Sequence, residues 1–197
     1  MAVSFTDQEK TSIIKALRMA ASRRAATVGF RKTTVDELAR DAGISKGAFY
    51  KFYPSKEHLF LDMLEEWRRG IYARAEAALV QCGALPPRRR AATVFKAAWR
   101  AILEQPMAQL RRDELPLLLR KIPDDANLAR RYESEDAFIS ALIAKTRVRL
   151  AVAPGVACEA LKLLMLTVIT APQCGADYDA AMDQLIDGLC GQIILPD

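Results

Sequence analysis

The sequence holds one histidine, nine glycines and nine prolines in 197 residues. So little Gly and Pro speaks against a disordered chain and against an all-β fold built on many turns. His58 is the only imidazole, so there is no His-Glu-x-x-His helix, and no Cys or His pair stands at zinc-ligand spacing. Glycine-rich phosphate loops and the Gly-x-Ser-x-Gly nucleophile turn are missing as well. These absences predict no catalytic residue, no metal and no resident cofactor. The four cysteines, Cys82, Cys158, Cys174 and Cys190, are far apart. They are expected to be free thiols in a reducing cytosol. The longest uncharged stretch, Leu163 to Ala176, contains Pro172 and is too short to span a bilayer. The first ten residues carry acids and no apolar core, so no signal peptide is expected. The expectation is a cytoplasmic protein without a membrane partner.

What is present is apolar mass and localised charge. Hydrophobic residues make up 51% of the chain, enough for a substantial core. The net charge is +5. Residues 1–60 hold eleven Lys or Arg against six Asp or Glu, whereas residues 61–197 hold eighteen of each. The whole excess sits in the first third. Positive charge confined to one segment points to a polyanionic partner there, with nucleic acid the expectation.

Helical spacing dominates the chain and predicts an all-α fold of about nine helices. Two capping boxes, Thr6-x-x-Glu9 and Thr34-x-x-Glu37, mark helix starts. Leu17, Ala20, Ala21 and Val28 lie at helical spacing in the first helix; Val35, Leu38, Ala39 and Ala42 do so in the second. Gly29 and Gly43 end these helices. A short third helix follows Ser45 and runs through Tyr50 and Lys51, before Pro54. A long fourth begins after Ser55 and reaches about Ala78. Later helices are expected at about 88–104, 125–148, 156–170 and 177–194, separated by Pro106, Pro116, Pro123 and Pro154. A division into residues 1–55 and 56–197 follows from this layout.

The run Thr34 to Tyr53 has the requirements of a helix-turn-helix. Ala39 is small where the second helix crosses, Gly43 stands in the turn, and Leu38, Ala42, Ile44 and Phe49 can lock the pair. Left over on the outer edge are Ser45, Lys46, Gly47, Tyr50 and Lys51, the surface that would enter a major groove. Thr33 and Thr34 stand at one helix N-terminus and Lys56 at another. Such ends suit phosphate oxygens.

The segment Gly29 to Phe60, GFRKTTVDELARDAGISKGAFYKFYPSKEHLF, closely resembles the N-terminal signature of the TetR family of transcriptional repressors. Thr34, Leu38-Ala39, Ala42-Gly43-Ile44-Ser45, Gly47, Tyr50, Pro54-Ser55-Lys56-Glu57 and Leu59 fall at the family's spacing without gaps. The resemblance implies an all-helical homodimer that binds a palindromic double-stranded DNA operator. It also implies a divergent C-terminal domain with a small-molecule effector pocket and the dimer interface. Effector binding there would separate the two reading heads and release DNA. Carried over by position, Tyr50 and Lys56 are expected to contact phosphates, and Thr34 is expected to be a phosphate-facing cap. Lys46 and Lys51 are expected on bases or phosphates. Phe52 departs from the family's usual His or Tyr, and Tyr53 from its usual Phe.

In the second domain, Leu161, Leu164, Met165 and Val168 form one apolar helix face and Met182, Ile186 and Leu189 another. These are read either as monomer core or as a four-helix interface between subunits, and the resemblance favours the interface. Trp67, Phe95, Trp99, Met107, Tyr132 and Phe138 are candidates to line the effector pocket, with ordinary core as the other reading. The competing functional reading is a helix-turn-helix scaffold that works through protein contacts without high-affinity DNA binding. The retained positive charge of residues 1–60 speaks against it.

Overall fold

The computed structural model describes residues 5–104, 135–167 and 174–196. Met107, Tyr132 and Val168 lie outside the described residues. Eight helices run through the described part: α1 (Asp7–Thr27), α2 (Val35–Asp41), α3 (Lys46–Phe49), α4 (Lys56–Cys82), α5 (Pro87–Leu103), α6 (Glu135–Lys145), α7 (Pro154–Leu166) and α8 (Tyr178–Ile193). The fold is all-α, and the only β pairing among the described residues is an isolated bridge between Leu150 and Ile194. None of the described helices is long and apolar enough to cross a membrane.

Packing divides the chain inside α4, between Trp67 and Arg68, into two compact units. The sequence placed the division at 55/56, where α4 starts. The difference has a physical cause: the first turns of α4 belong to the core of the first unit. Leu59, Phe60, Met63 and Leu64 are buried there, along with Leu17, Ala20 and Ala21 of α1, Leu38 of α2 and Phe49 of α3. Phe30 lies fully buried with its ring edge-on to Phe60, 5.0 Å between centroids. Val28 is not on this inner face. It caps α1 and is exposed.

Helix ends follow local chemistry. Both predicted capping boxes are formed. The Thr6 and Thr34 amides donate to Glu9 at 2.8 Å and Glu37 at 2.9 Å, which satisfies amides that a helix start leaves orphaned. Helices α5 and α7 begin with Pro87 and Pro154 in the first turn, where a missing N–H costs nothing.

The second unit is held by long-range pairing of α8 with α5 and of α7 with α6. Met182, Ile186, Cys190 and Ile193 form the buried stripe of α8, and Val94, Phe95, Ala98, Trp99 and Ile102 are among the buried residues of α5. Two ion pairs flank that seam, Lys96 with Asp187 and Arg100 with Asp183, each at 2.7 Å. Their acids and bases are partly solvated, so burial of the apolar stripe contributes far more than they do.

Candidate nucleic-acid interface

The turn between α2 and α3 is built by backbone hydrogen bonds. The Gly43 amide donates to the Arg40 carbonyl at 3.1 Å, and the Ile44 amide donates to the Ala39 carbonyl at 2.9 Å. Those two bonds are a Schellman motif, which requires a left-handed residue at Gly43; its φ is +73°. Ser45 then caps α3, accepting from the Ala48 amide at 3.1 Å. Phe49 plugs the α3 side of the pair into the core. Anchored by Phe49, α3 turns its other edge to solvent.

That edge carries the predicted contacts. Ser45, Lys46, Gly47, Tyr50 and Lys51 are all exposed, and Tyr50 retains 51% of its surface. The space around Gly47 is informative. A Cβ added there would meet only the Ser45 hydroxyl, at 3.9 Å, so nothing within the protein requires glycine. Lys46 is not a bare cation, because its ammonium donates to Asp36 of α2 at 2.7 Å. This bond raises the Lys46 pKa, so the side chain stays charged. The Lys51 ammonium lies 5.6 Å from the centroid of the Phe5 ring, and that ring leans on Phe52 at 5.5 Å.

Two predicted phosphate contacts are placed differently. Thr33 is 1% exposed, and its hydroxyl donates to the Gly29 carbonyl at 2.8 Å; it closes the loop between α1 and α2 and is not presented to a ligand. The Lys56 ammonium donates to the carbonyls of Thr33 (2.6 Å), Phe30 (3.0 Å) and Arg31 (3.4 Å), and sits over the Phe30 ring. An ammonium has three donors, so these carbonyls occupy it. In this arrangement Lys56 ties the loop to the start of α4. Thr34 remains exposed, but its hydroxyl is engaged with Glu37 in the capping box.

Sequence reading missed the polar clamps that hold the reading head. Arg24 of α1 donates to Asp41 at 2.7 Å and pairs with Glu37 at 3.0 Å, both on α2. The hydrogen bond from Arg24 holds the Asp41 carboxyl below its ordinary pKa, and the Thr34 cap does the same for Glu37, with a smaller contribution from Arg24. Arg18 grips Asp62 of α4 through two parallel bonds of 2.8 Å and reaches Glu66 at 3.2 Å. The Tyr53 hydroxyl, at the end of the helix-turn-helix, donates to the same Asp62 carboxylate. Burial foremost, then that bond, raises the Tyr53 pKa, so the hydroxyl remains a donor. No local spacing announces these pairs, whose partners are 17 and 44 residues apart for Arg24–Asp41 and Arg18–Asp62.

A profile of bacterial regulatory proteins, tetR family, matches residues 17–63, the stretch from the middle of α1 into α4. This segment belongs to the tetR family. An uncharacterized HTH-type transcriptional regulator of Bacillus subtilis, YuxN, is 40% identical over 68 residues. That alignment covers 34% of this chain and 22% of the relative, so the chain spans about a fifth of the length of the curated relatives it matches. Solved structures are similar over nearly the full length. A TetR family transcription regulator from Marinobacter aquaeolei is 17% identical with a TM-score of 0.63, covering 96% of this chain and 99% of that one. NalD of Pseudomonas aeruginosa, described as the secondary repressor of the MexAB-OprM multidrug efflux pump, is 21% identical with a TM-score of 0.62, covering 94% and 98%. At those identities the likeness establishes the fold: an all-α chain whose tetR-family segment is the N-terminal helix-turn-helix.

Beyond that segment, the second unit regroups the residues predicted for effector and dimer. Phe95 and Trp99 line an apolar cleft, but Leu161, Leu164, Met165 and Ile186, expected at a subunit interface, line the same cleft. Trp67 and Phe138 do not line it. Trp67 is buried in the first unit, and Phe138 is buried against the Tyr72 ring at 4.8 Å. Leu161, Met182 and Ile186 are core of the single chain, with Met182 only 1% exposed, so they have no area left for a partner. Leu164, Met165 and Leu189 are half-buried. Among the described residues, the large apolar side chains that face solvent on α7 and α8 are Val156, Leu163 and Leu185. Among the described residues no group of His, Cys, Asp and Glu could hold a metal ion.

Proposed function

We propose that this chain is a sequence-specific DNA-binding transcription regulator. It acts as a homodimeric repressor that leaves a palindromic operator when a small-molecule effector binds the second unit. The observation that carries the reading is the exposed edge Lys46, Gly47, Tyr50 and Lys51. It rides on a rigid Schellman turn in the part of the chain that holds all of the excess positive charge. Lysine and tyrosine side chains there supply donors for phosphate and base edges, and Gly47 lets a backbone approach closely. The solvent-facing Val156, Leu163 and Leu185 of α7 and α8 support self-association, since apolar faces of paired helices bury each other in a two-fold dimer. Two reading heads would then meet half-sites about 34 Å apart, or a multiple of that. Acting on DNA, the protein would work in the cytoplasm.

The test is selection of bound fragments from genomic DNA by the purified protein, followed by affinity against salt on the best site. The reading expects an inverted repeat bound at roughly nanomolar strength with a steep salt slope. Lys46→Ala and Tyr50→Phe should each weaken binding while leaving the oligomeric state unchanged. A variant that removes one phosphate contact should lower the slope by about one. Failure to enrich any site would favour a scaffold that works through protein contacts instead.

A further inference from the structure

The cleft of the second unit is walled by Phe95, Trp99 and Ile102 of α5, Leu142 of α6, and Leu164 and Met165 of α7, together with four further apolar side chains. Among the described residues, all ten lining side chains are hydrocarbon, aromatic or thioether, and the one polar atom they carry is the indole nitrogen of Trp99. Trp99 is 3% exposed, and its N–H is buried without a hydrogen-bond partner among the described residues. The nearby Tyr178 ring lies 5.4 Å away, but the Tyr178 hydroxyl donates to the Thr167 carbonyl at 2.9 Å and contacts the Thr167 hydroxyl at 3.1 Å. It does not serve the indole. Buried N–H groups nearly always find an acceptor, and one left without a partner is costly.

The geometry points to a neutral, largely apolar effector that carries one hydrogen-bond acceptor and seats it on the Trp99 indole. A charged ligand would be stripped of water with no counter-charge among the described lining side chains, which is a large penalty. A ligand with several polar groups would leave most of them unpaired. A single ketone, ester or ether oxygen would gain the free donor while its hydrocarbon part fills the cleft. The free space is about 30 Å³, room for about one water. Entry therefore displaces Leu164 and Met165, which are half-buried; the unbranched Met165 side chain adapts readily to a new neighbour. The regulatory consequence rests on the function proposed above, but binding itself does not.

The experiment uses the full chain and three probes of equal length: 2-hexanone, hexanoate and hexane. Binding is read as a shift in thermal unfolding and by titration calorimetry, with no DNA present. The ketone should bind, the carboxylate should not, and the alkane should bind more weakly than the ketone. Trp99→Phe keeps an aromatic ring but removes the donor. It should weaken the ketone about five- to tenfold and leave the alkane unchanged. Leu164→Phe, at a half-buried position, should fill the cleft and abolish binding of both. Hexanoate binding as tightly as the ketone, an unchanged ketone affinity in Trp99→Phe, or no binding of any probe would each overturn the proposal. Operator affinity measured on the same preparations separates the two readings. Ketone binding without DNA binding removes the regulator alone, and DNA binding without ketone binding removes the effector assignment alone.

Discussion

The two units hold themselves together by different balances of the same forces. In the first, each turn is closed by groups a few residues apart: two capping boxes, a Schellman turn at Gly43 and a Ser45 cap. Charged clamps then join the helices, Arg24 to α2 and Arg18 to α4. In the second, the helices meet through long apolar stripes flanked by ion pairs such as Lys96–Asp187 and Arg100–Asp183, and the described side chains lining its cleft carry one donor, the Trp99 indole, and no charge. To meet the DNA partner proposed for it, the first unit would need its small recognition helix aimed. Hydrogen bonds and ion pairs give direction. The apolar ligand proposed for the second unit would need walls that can repack, and dispersion contacts between flexible side chains allow it.

Mutations can break this contrast. The largest effect is expected from Phe49→Ala. The ring is fully buried, so its loss should cost about 3–5 kcal/mol in urea unfolding and remove DNA binding with it. An undiminished midpoint would mean that α3 is not locked by its core residue. Next come the two glycines of the helix-turn-helix. Gly43→Ala meets no atom within 4 Å, yet its φ of +73° makes the substitution cost about 1–2 kcal/mol through backbone strain alone. Gly47→Ala has no such strain and should leave stability unchanged, or raise it by up to about 1 kcal/mol through helix propensity, while DNA affinity falls. A stable Gly47→Ala protein with full affinity would show that no partner approaches that edge.

Tyr53→Phe removes the hydroxyl that donates to Asp62. It should cost about 1–2 kcal/mol, less than the ring deletion, because Arg18 still holds the carboxylate. Equal stability of the two proteins would show that Arg18 alone suffices. The smallest effect concerns acid. The folded pKa values of Glu37 and Asp41 are lowered, so as pH falls the unfolded chain takes up these protons first. The stability they contribute is present at neutral pH, declines below about pH 4 and is lost as pH passes the folded values. Melting of wild type and Arg24→Gln should therefore differ at pH 7 and converge towards pH 3. A constant gap would mean that the clamp does not depend on ionised carboxylates.

Residues 29–60 were legible because their signals are local. A capping box spans four residues and a Schellman turn six, and the inner face of a short amphipathic helix repeats every three or four. Ser45, Lys46, Gly47, Tyr50 and Lys51 stand on the surface where their spacing placed them. Thr33 is buried, and the Lys56 ammonium is engaged with backbone carbonyls instead of standing open to solvent. Spacing shows where a side chain starts, not which carbonyls await its polar end, and the loop at 30–33 folds back to receive the Lys56 ammonium.

Composition and periodicity by themselves determined that the chain is helical, where most helices begin and end, and that its positive excess belongs to the reading head. Tertiary structure alone decided which side of α7 and α8 turns inward. Both helices carry apolar residues on more than one side, so period cannot distinguish a face meant for α5 or α6 from one left to solvent. Pairing within the chain claimed Leu161, Met182 and Ile186, and it left Val156, Leu163 and Leu185 outside. It also buried the Trp99 indole without an acceptor among the described residues, because no sequence pattern says which neighbours long-range packing will bring to a donor.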